Sequence, residues 1–203
     1  LYVSRTAISK WESGRGYPNI DSLKAIAKFY CVTIDELLSG EEALTIVNQS
    51  EYTIIRLLGH GKGGYSYLAE RDGQHYVLKQ IHHEPCEYYS FGNKIEAERN
   101  DYQRLLATGI RIPKMLDIDI AGERVLKEYI DGPTIYDLVK NDAMEETYID
   151  QVREMAAIVY AAGLNIDYFP TNFVVQNGVI YYIDYECNAY MDEWNFDNWG
   201  IRY

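Results

Sequence analysis

Cysteine is scarce in this 203-residue chain: Cys31, Cys86 and Cys187 are too few and too scattered for a disulfide framework or a Cys-x-x-Cys zinc site, and read as reduced thiols. Long apolar runs are missing too. Nothing approaches the roughly 18 residues of a membrane span, and no basic start leads into an apolar stretch with a cleavage site. The expectation is a cytoplasmic chain with no membrane partner. Positive charge is in deficit: 19 Lys and Arg face 31 Asp and Glu, a net charge of -12. That excludes a chain that coats nucleic acid nonspecifically, since each phosphate neutralised needs a cation. What is present, 47% hydrophobic and 25% charged residues, is ordinary globular composition and rules out disordered and fibrous classes.

The charge is unevenly spread. In residues 1–40 Arg5, Lys10, Arg15, Lys24 and Lys28 slightly outnumber Glu12, Asp21, Asp35 and Glu36, so nearly all the acidity lies beyond. Two segments with different partners follow. The first holds three short helical patterns. Ser4 can cap a helix with Ala7, Ile8 and Trp11 on one face, Asp21 or Ser22 a second carrying Leu23, Ile26, Ala27 and Tyr30, and Thr33 a third with Leu37 and Leu38. The stretch SRTAISKWESGRGYPNIDSLKAIAKFYCVTIDELL resembles the lambda-repressor-like (Xre/Cro-type) helix-turn-helix family. That resemblance implies a recognition helix starting near Arg5, with Arg5, Thr6, Ser9 and Lys10 facing a DNA major groove. It begins after the place of the family's first helix and most of its second, and residue 1 is Leu, so the chain reads as a partial helix-turn-helix over 1–40, with DNA a partner of the intact parent. The polar stretch EEALTIVNQS, 41–50, reads as a linker.

From Tyr52 the period shortens. TIIRLLG, YSYLAE and HYVLKQI predict three antiparallel strands, punctuated by GHGKGG and by the hairpin pair Asp72-Gly73. NKIEAERNDYQRLLATG predicts a helix burying Ile95, Tyr102, Leu105 and Leu106, and MLDIDI and RVLKEYI two further strands. The layout is α+β and mainly antiparallel. Gly59, Gly61 and Gly64 form G-x-G-x-x-G. In dinucleotide-binding folds this pattern joins a strand to a helix; here a strand follows, which suits a flap over phosphates. Lys79, a cation in an apolar strand, needs anionic company, which Glu98 or Glu96 on the next helix can offer; the spacing of Glu98 to Tyr102 and Leu105 favours Glu98.

Further on, VREMAAIVYAAGLNI predicts a helix with a Met155, Ile158, Val159, Ala162 stripe. FVVQNGVIYYI predicts a hairpin turning at Asn177-Gly178, with Asn172 at its entry and Asp184 at its exit. Beside Asp167 these oxygens suit Mg²⁺ shared with phosphate. His82, His83, Glu84, Cys86 and Glu87 lack paired ligand spacing and read as a solvated connection, while Tyr181 and Tyr182 need no special role and Trp194 and Trp199 read as core anchors.

Carrying D-x-x-P-x-N and I-D-x-E, the stretch from about Tyr52 to Tyr203 resembles the protein-kinase-like superfamily, most like the aminoglycoside/choline phosphotransferase branch and related small bacterial kinases in wording. The resemblance implies a two-lobed fold: an antiparallel N-lobe sheet with one helix, then a mainly helical C-lobe with a β-hairpin, truncated, over 51–203. It implies ATP under the glycine flap, Lys79 paired to Glu98 on the α/β-phosphates, and backbone groups of Glu128 and Ile130 on adenine. Asp167 would orient a substrate hydroxyl, and Asn172 and Asp184 would hold Mg²⁺. The implied activity is transfer of the γ-phosphoryl to a hydroxyl of a small molecule or protein. The alternatives are a nucleotide-binding pseudokinase or a DNA-binding transcription regulator with a kinase-like sensor domain. Four departures stand out: Asn165-Ile166-Asp167 replaces His-Arg-Asp, Asp184-Tyr185-Glu186 replaces Asp-Phe-Gly, Lys127 takes a place that is more often apolar, and the chain stops soon after Asp197, the residue expected to brace the catalytic loop.

Overall fold

The computed structural model describes residues 4–13, 15–30, 34, 37, 44–83 and 92–202. Helix α1 is Arg5–Glu12 and α2 is Ile20–Tyr30. Ser4 caps α1 as its side chain accepts from the Ala7 amide, but Asn19, not Asp21 or Ser22, caps α2, accepting from the Ser22 amide at 2.8 Å. Both residues offer a short side-chain oxygen just ahead of the first turn, where helix amides lack partners. The helix expected after Thr33 lies mostly outside the described residues, as do Cys31, Cys86 and the stretch from Glu84 to Glu87.

The expected linker contains a strand. Leu44–Val47 (β1) pairs antiparallel with Ser50–His60 (β2) across Asn48 and Gln49, both at positive φ, and Val47 is fully buried. LTIV supplies β-branched and apolar side chains, and its neighbours Asn48 and Gln49 form the turn, so a polar average over ten residues concealed a four-residue strand. Gly64–Arg71 (β3), Gln74–Ile81 (β4), Met115–Asp119 (β5) and Arg124–Glu128 (β6) complete one antiparallel sheet in the order β1-β2-β3-β4-β6-β5. The sheet curls until its edges meet: the Asn48 amide donates to Asp117 (2.8 Å) and to the Ile118 carbonyl (3.0 Å), and Arg124 donates to the Ile46 carbonyl. Joined edges leave less unpaired backbone for another chain to extend.

Between β4 and β5 lies α3, Lys94–Thr108, capped by Asn93 and ended by Gly109 in the left-handed conformation. Its buried side chains are Lys94, Ile95, Tyr102 and Leu105; Leu106, expected inside, is 51% exposed. The stripe runs 95, 98, 102, 105, so it carries Glu98 inward and turns Leu106 out. Two helices follow β6: the short α4, Ile135–Lys140, opened by a Thr134–Asp137 capping box, and the longer α5, Glu146–Ala161. On α5 the buried face is Val152, Met155, Ala156 and Val159; Ile158 and Ala162 are exposed, because the true stripe starts one turn earlier than the one expected.

Leu164–Ile166 (β7) pairs with Cys187–Ala189 (β10), and Phe173–Gln176 (β8) pairs with Val179–Tyr182 (β9) through Asn177 and Gly178, both at positive φ as a type I′ turn requires. Two cores result. One fills the curled sheet around Tyr52, Tyr67, Leu78 and Leu126; the larger joins α3, α5 and the two short ladders around Leu105, Val159, Ile180 and Tyr185. No described helix is long and apolar enough to cross a membrane.

The passage from β6 to the hairpin is tight. Val175 donates to the Pro133 carbonyl (3.0 Å), Thr134 bridges to Val174, and a Cβ on Gly132 would collide with the Val175 carbonyl oxygen. Gly132→Ala is therefore expected to destabilise the protein by about 2–4 kcal/mol, since backbone must move to admit the methyl; urea unfolding of wild type and variant measures it.

Candidate functional site

Strand β4 delivers Lys79 to the face of the sheet that packs on α3, and the inward stripe of α3 delivers Glu98 to meet it. Lys79 Nζ lies 2.8 and 2.7 Å from the two Glu98 carboxylate oxygens and 3.4 Å from Asp184 Oδ1. Glu96, the competitor in the sequence, instead pairs with Arg99. The Lys79 and Glu98 side chains are 11% and 10% exposed, and Asp184 is 29% exposed, so the ammonium is shared by two carboxylates in a largely dry setting. Burial opposes the charge on Lys79, but Asp184 and Glu98 outweigh it and hold its pKa above the ordinary lysine value. Burial likewise opposes charge on Asp184, yet Lys79, Lys127 and the Tyr185 amide bring it down to about 2.

The glycine loop closes over this pair between β2 and β3. Gly61 donates to the Gly64 carbonyl (3.0 Å), and a Cβ on Gly63 would come within 3.7 Å of the Lys79 side chain. The glycines have different reasons. At Gly64 a Cβ would strike the Gln80 carbonyl of β4, so close strand approach requires glycine, whereas Gly59 and Gly61 open onto free space. His82 Nε2 donates to the Gly61 carbonyl (2.9 Å), and the buried Lys94 donates to the carbonyls of Lys62 (3.0 Å) and His82 (2.6 Å). These two tethers were not anticipated; a lysine in the first turn of a helix gives no sequence sign of reaching a loop 32 residues earlier.

Asn172 and Asp184 are brought together by backbone: Ile183 donates to the Asn172 carbonyl at 2.8 Å, one step beyond the Phe173–Tyr182 pair of the hairpin. Asn172 Nδ2 in turn donates to Asp167 Oδ2 (3.1 Å), and Asp167 is exposed. The Asp167 loop is locked by Tyr182, fully buried, whose hydroxyl accepts from the Asp167 amide (3.2 Å) and donates to the Glu186 carbonyl (2.8 Å). Burial first, then the charges of Asp184 and Asp167, raise Glu186 above the usual carboxylate range. Among the described residues no three His, Cys, Asp or Glu side chains form a metal cage. The donor set of Asn172 and Asp184 fits a hard cation only as part of a shell that phosphate and water complete.

Glu128 ends β6, where its amide donates to the Lys114 carbonyl (2.9 Å) and its carboxylate accepts from the Lys114 amide (3.1 Å); Ile130 is buried just beyond. Asp197 is exposed; beside the Asp167 loop Asn165 donates to the Met191 carbonyl (2.8 Å) and Tyr168 lies edge-on against Phe196. Trp194, expected as a core anchor, is 49% exposed and meets Trp199 edge-on beside Asp192, Glu193 and Arg202 in an open cleft of about 450 Å³. It lies on a short 3-10 turn rather than on a face of either core.

On α1, Thr6, Ser9 and Lys10 are exposed; the side chain of Arg5 lies outside the described residues. Residues 1–37 match the helix-turn-helix family. The HTH-type transcriptional activator BcrR of Enterococcus faecalis is 50% identical to this chain over 88 residues, a match covering 33% of the chain and 43% of that protein. The chain thus spans less than half the length of this relative.

Removing one partner of a buried pair strands the other's charge. Glu98→Ala is expected to destabilise the protein by about 3 kcal/mol in denaturant unfolding at pH 7. Because the Asp184 pKa is depressed, its stabilising contribution is present above about pH 4 and is lost as pH falls toward 2; acid titration of wild type against Asp184→Asn checks the sign, with the variant lacking that step.

Proposed function

We propose that this chain is part of a DNA-binding transcription regulator whose second domain is kinase-like and binds a nucleoside triphosphate with a divalent cation. The DNA-binding half rests on the helix-turn-helix match over residues 1–37 and on the likeness to a transcriptional activator. The nucleotide half rests on one observation above the others: Lys79 is held between Glu98 and Asp184 beneath a glycine loop. An ammonium so placed can reach phosphate oxygens while keeping its counter-ion, and Asp184 with Asn172 can take a cation that those same oxygens share. ATP is the nucleotide of choice, and backbone at Glu128 and Ile130 is where its base would lie.

A second reading, phosphoryl transfer, is favoured by Asp167. Its carboxylate is exposed, steadied by Asn172 and by the Tyr182 strut, and free to take the proton of a hydroxyl acceptor as the oxygen bonds to the γ-phosphorus and ADP departs. The acceptor is a hydroxyl of a small molecule or a protein.

A thermal-shift titration with ATP and MgCl₂ tests the proposal. At a hundredfold excess over Kd, binding contributes about 2.7 kcal/mol, or about 5–10 °C in Tm for a chain of this size. Lys79→Met is expected to abolish the shift, and a wild type with no shift overturns the nucleotide reading. ADP release separates the two readings: Asp167→Ala is expected to lower turnover by about 10²–10⁴-fold with ATP affinity kept, whereas a wild type that binds without turnover leaves the sensor alone standing.

A further inference from the structure

Lys127 is a second buried cation on the strand beside that of Lys79. In the β4–β6 ladder Lys127 faces Val77 and Val125 faces Lys79, so the two lysines are diagonal neighbours on the same face of the sheet. Lys127 is 4% exposed, and among the described residues it makes no ion pair. Its Nζ donates to the Ile183 carbonyl at 2.8 Å and lies 4.2 Å from the centre of the Tyr185 ring. One carbonyl and one aromatic face are thin company for an ammonium with three donors. Burial, and then repulsion from Lys79, lower its pKa to about 8. An apolar side chain of the same length would suit the position better on stability grounds.

What the arrangement achieves is grip. Ile183 and Tyr185 flank Asp184, and Lys127 holds both, one by its carbonyl and one by its ring. Tyr185 is anchored on its far side by its hydroxyl, which donates to the Pro113 carbonyl (2.9 Å), and by the Tyr102 ring of α3 at 4.8 Å. Asp184 is thereby kept on the Lys79 side of the strand exit.

We propose that Lys127 is a positioning residue for the nucleotide-linked cation: it clamps the backbone before Asp184 and the ring after it, so that the carboxylate is presented ready to ligate. This rests on the nucleotide reading above. The lysine acts through its neighbours and touches neither phosphate nor metal.

The test measures ATP affinity by calorimetry on the whole chain, once in EDTA and once in MgCl₂, for wild type, Lys127→Met and Lys127→Gln. The expected result is that Lys127→Met binds ATP in EDTA within about twofold of wild type but loses about tenfold or more of the affinity that Mg²⁺ adds, as loss of an outer support to a metal ligand does. Lys127→Gln, which keeps a neutral donor for the Ile183 carbonyl, is expected to recover part of the Mg²⁺ gain. A purely packing role would move Tm or weaken both affinities together, and a full Mg²⁺ gain in Lys127→Met overturns the proposal. A wild type that binds no ATP in either buffer instead fails the nucleotide reading, before any variant is compared. Should neither variant fold, Lys127 is a stability residue and the proposal is likewise overturned.

Discussion

The structure from β1 onward is organised around a buried ammonium with two carboxylates. Lys79 belongs to the sheet, Glu98 to the helix packed against it and Asp184 to the exit of the hairpin, so a single charged group ties sheet, helix and hairpin together. Such a triad is costly to bury and is held only because the carboxylates on either side return the lost hydration. A core built for stability alone would use apolar side chains there.

Tyrosine does the supporting. Of the chain's 20 tyrosines, Tyr182 joins the Asp167 amide to the Glu186 carbonyl, Tyr185 ties the segment after Asp184 to Pro113, and Tyr160 takes the Tyr168 hydroxyl at 3.1 Å. Each ring fills core volume while its hydroxyl satisfies a buried polar group that would otherwise be orphaned. Burial and nearby carboxylates raise the pKa of Tyr182 and Tyr185, so both remain neutral donors. The result is a loop bearing an exposed carboxylate on a stiff footing.

The two segments of the chain differ in charge. The helical start is nearly balanced in charge and presents Thr6, Ser9 and Lys10 outward, while the acidity is concentrated beyond it. Phosphate is the shared chemistry of the partners proposed for both, yet it is met differently: by exposed side chains on a helix in one case, and by a loop of glycines over a buried lysine in the other.

Alternation, turn pairs and glycine punctuation were enough to place β2 to β6, the α3 helix and the Asn177-Gly178 hairpin, because those signals act over neighbours in sequence; Leu164–Ile166, expected as the end of a helix, is instead strand β7, paired with a β10 that the sequence reading did not mark. The preference for Glu98 over Glu96 was also legible, since helix periodicity alone decides which of two residues faces inward. What the sequence could not carry was everything set by contact between distant segments. The LTIV strand is a strand because the curled sheet offers its edge, and Gly132 must be glycine because Val175 passes over it. Lys127, Lys94 and Tyr182 gained their roles only when residues 56, 32 and 15 positions away came within hydrogen-bonding reach. Local pattern reports which face a side chain takes; which atom waits there is a property of the packed chain, since hydrogen bonds and ion pairs depend on distances that no sequence spacing specifies.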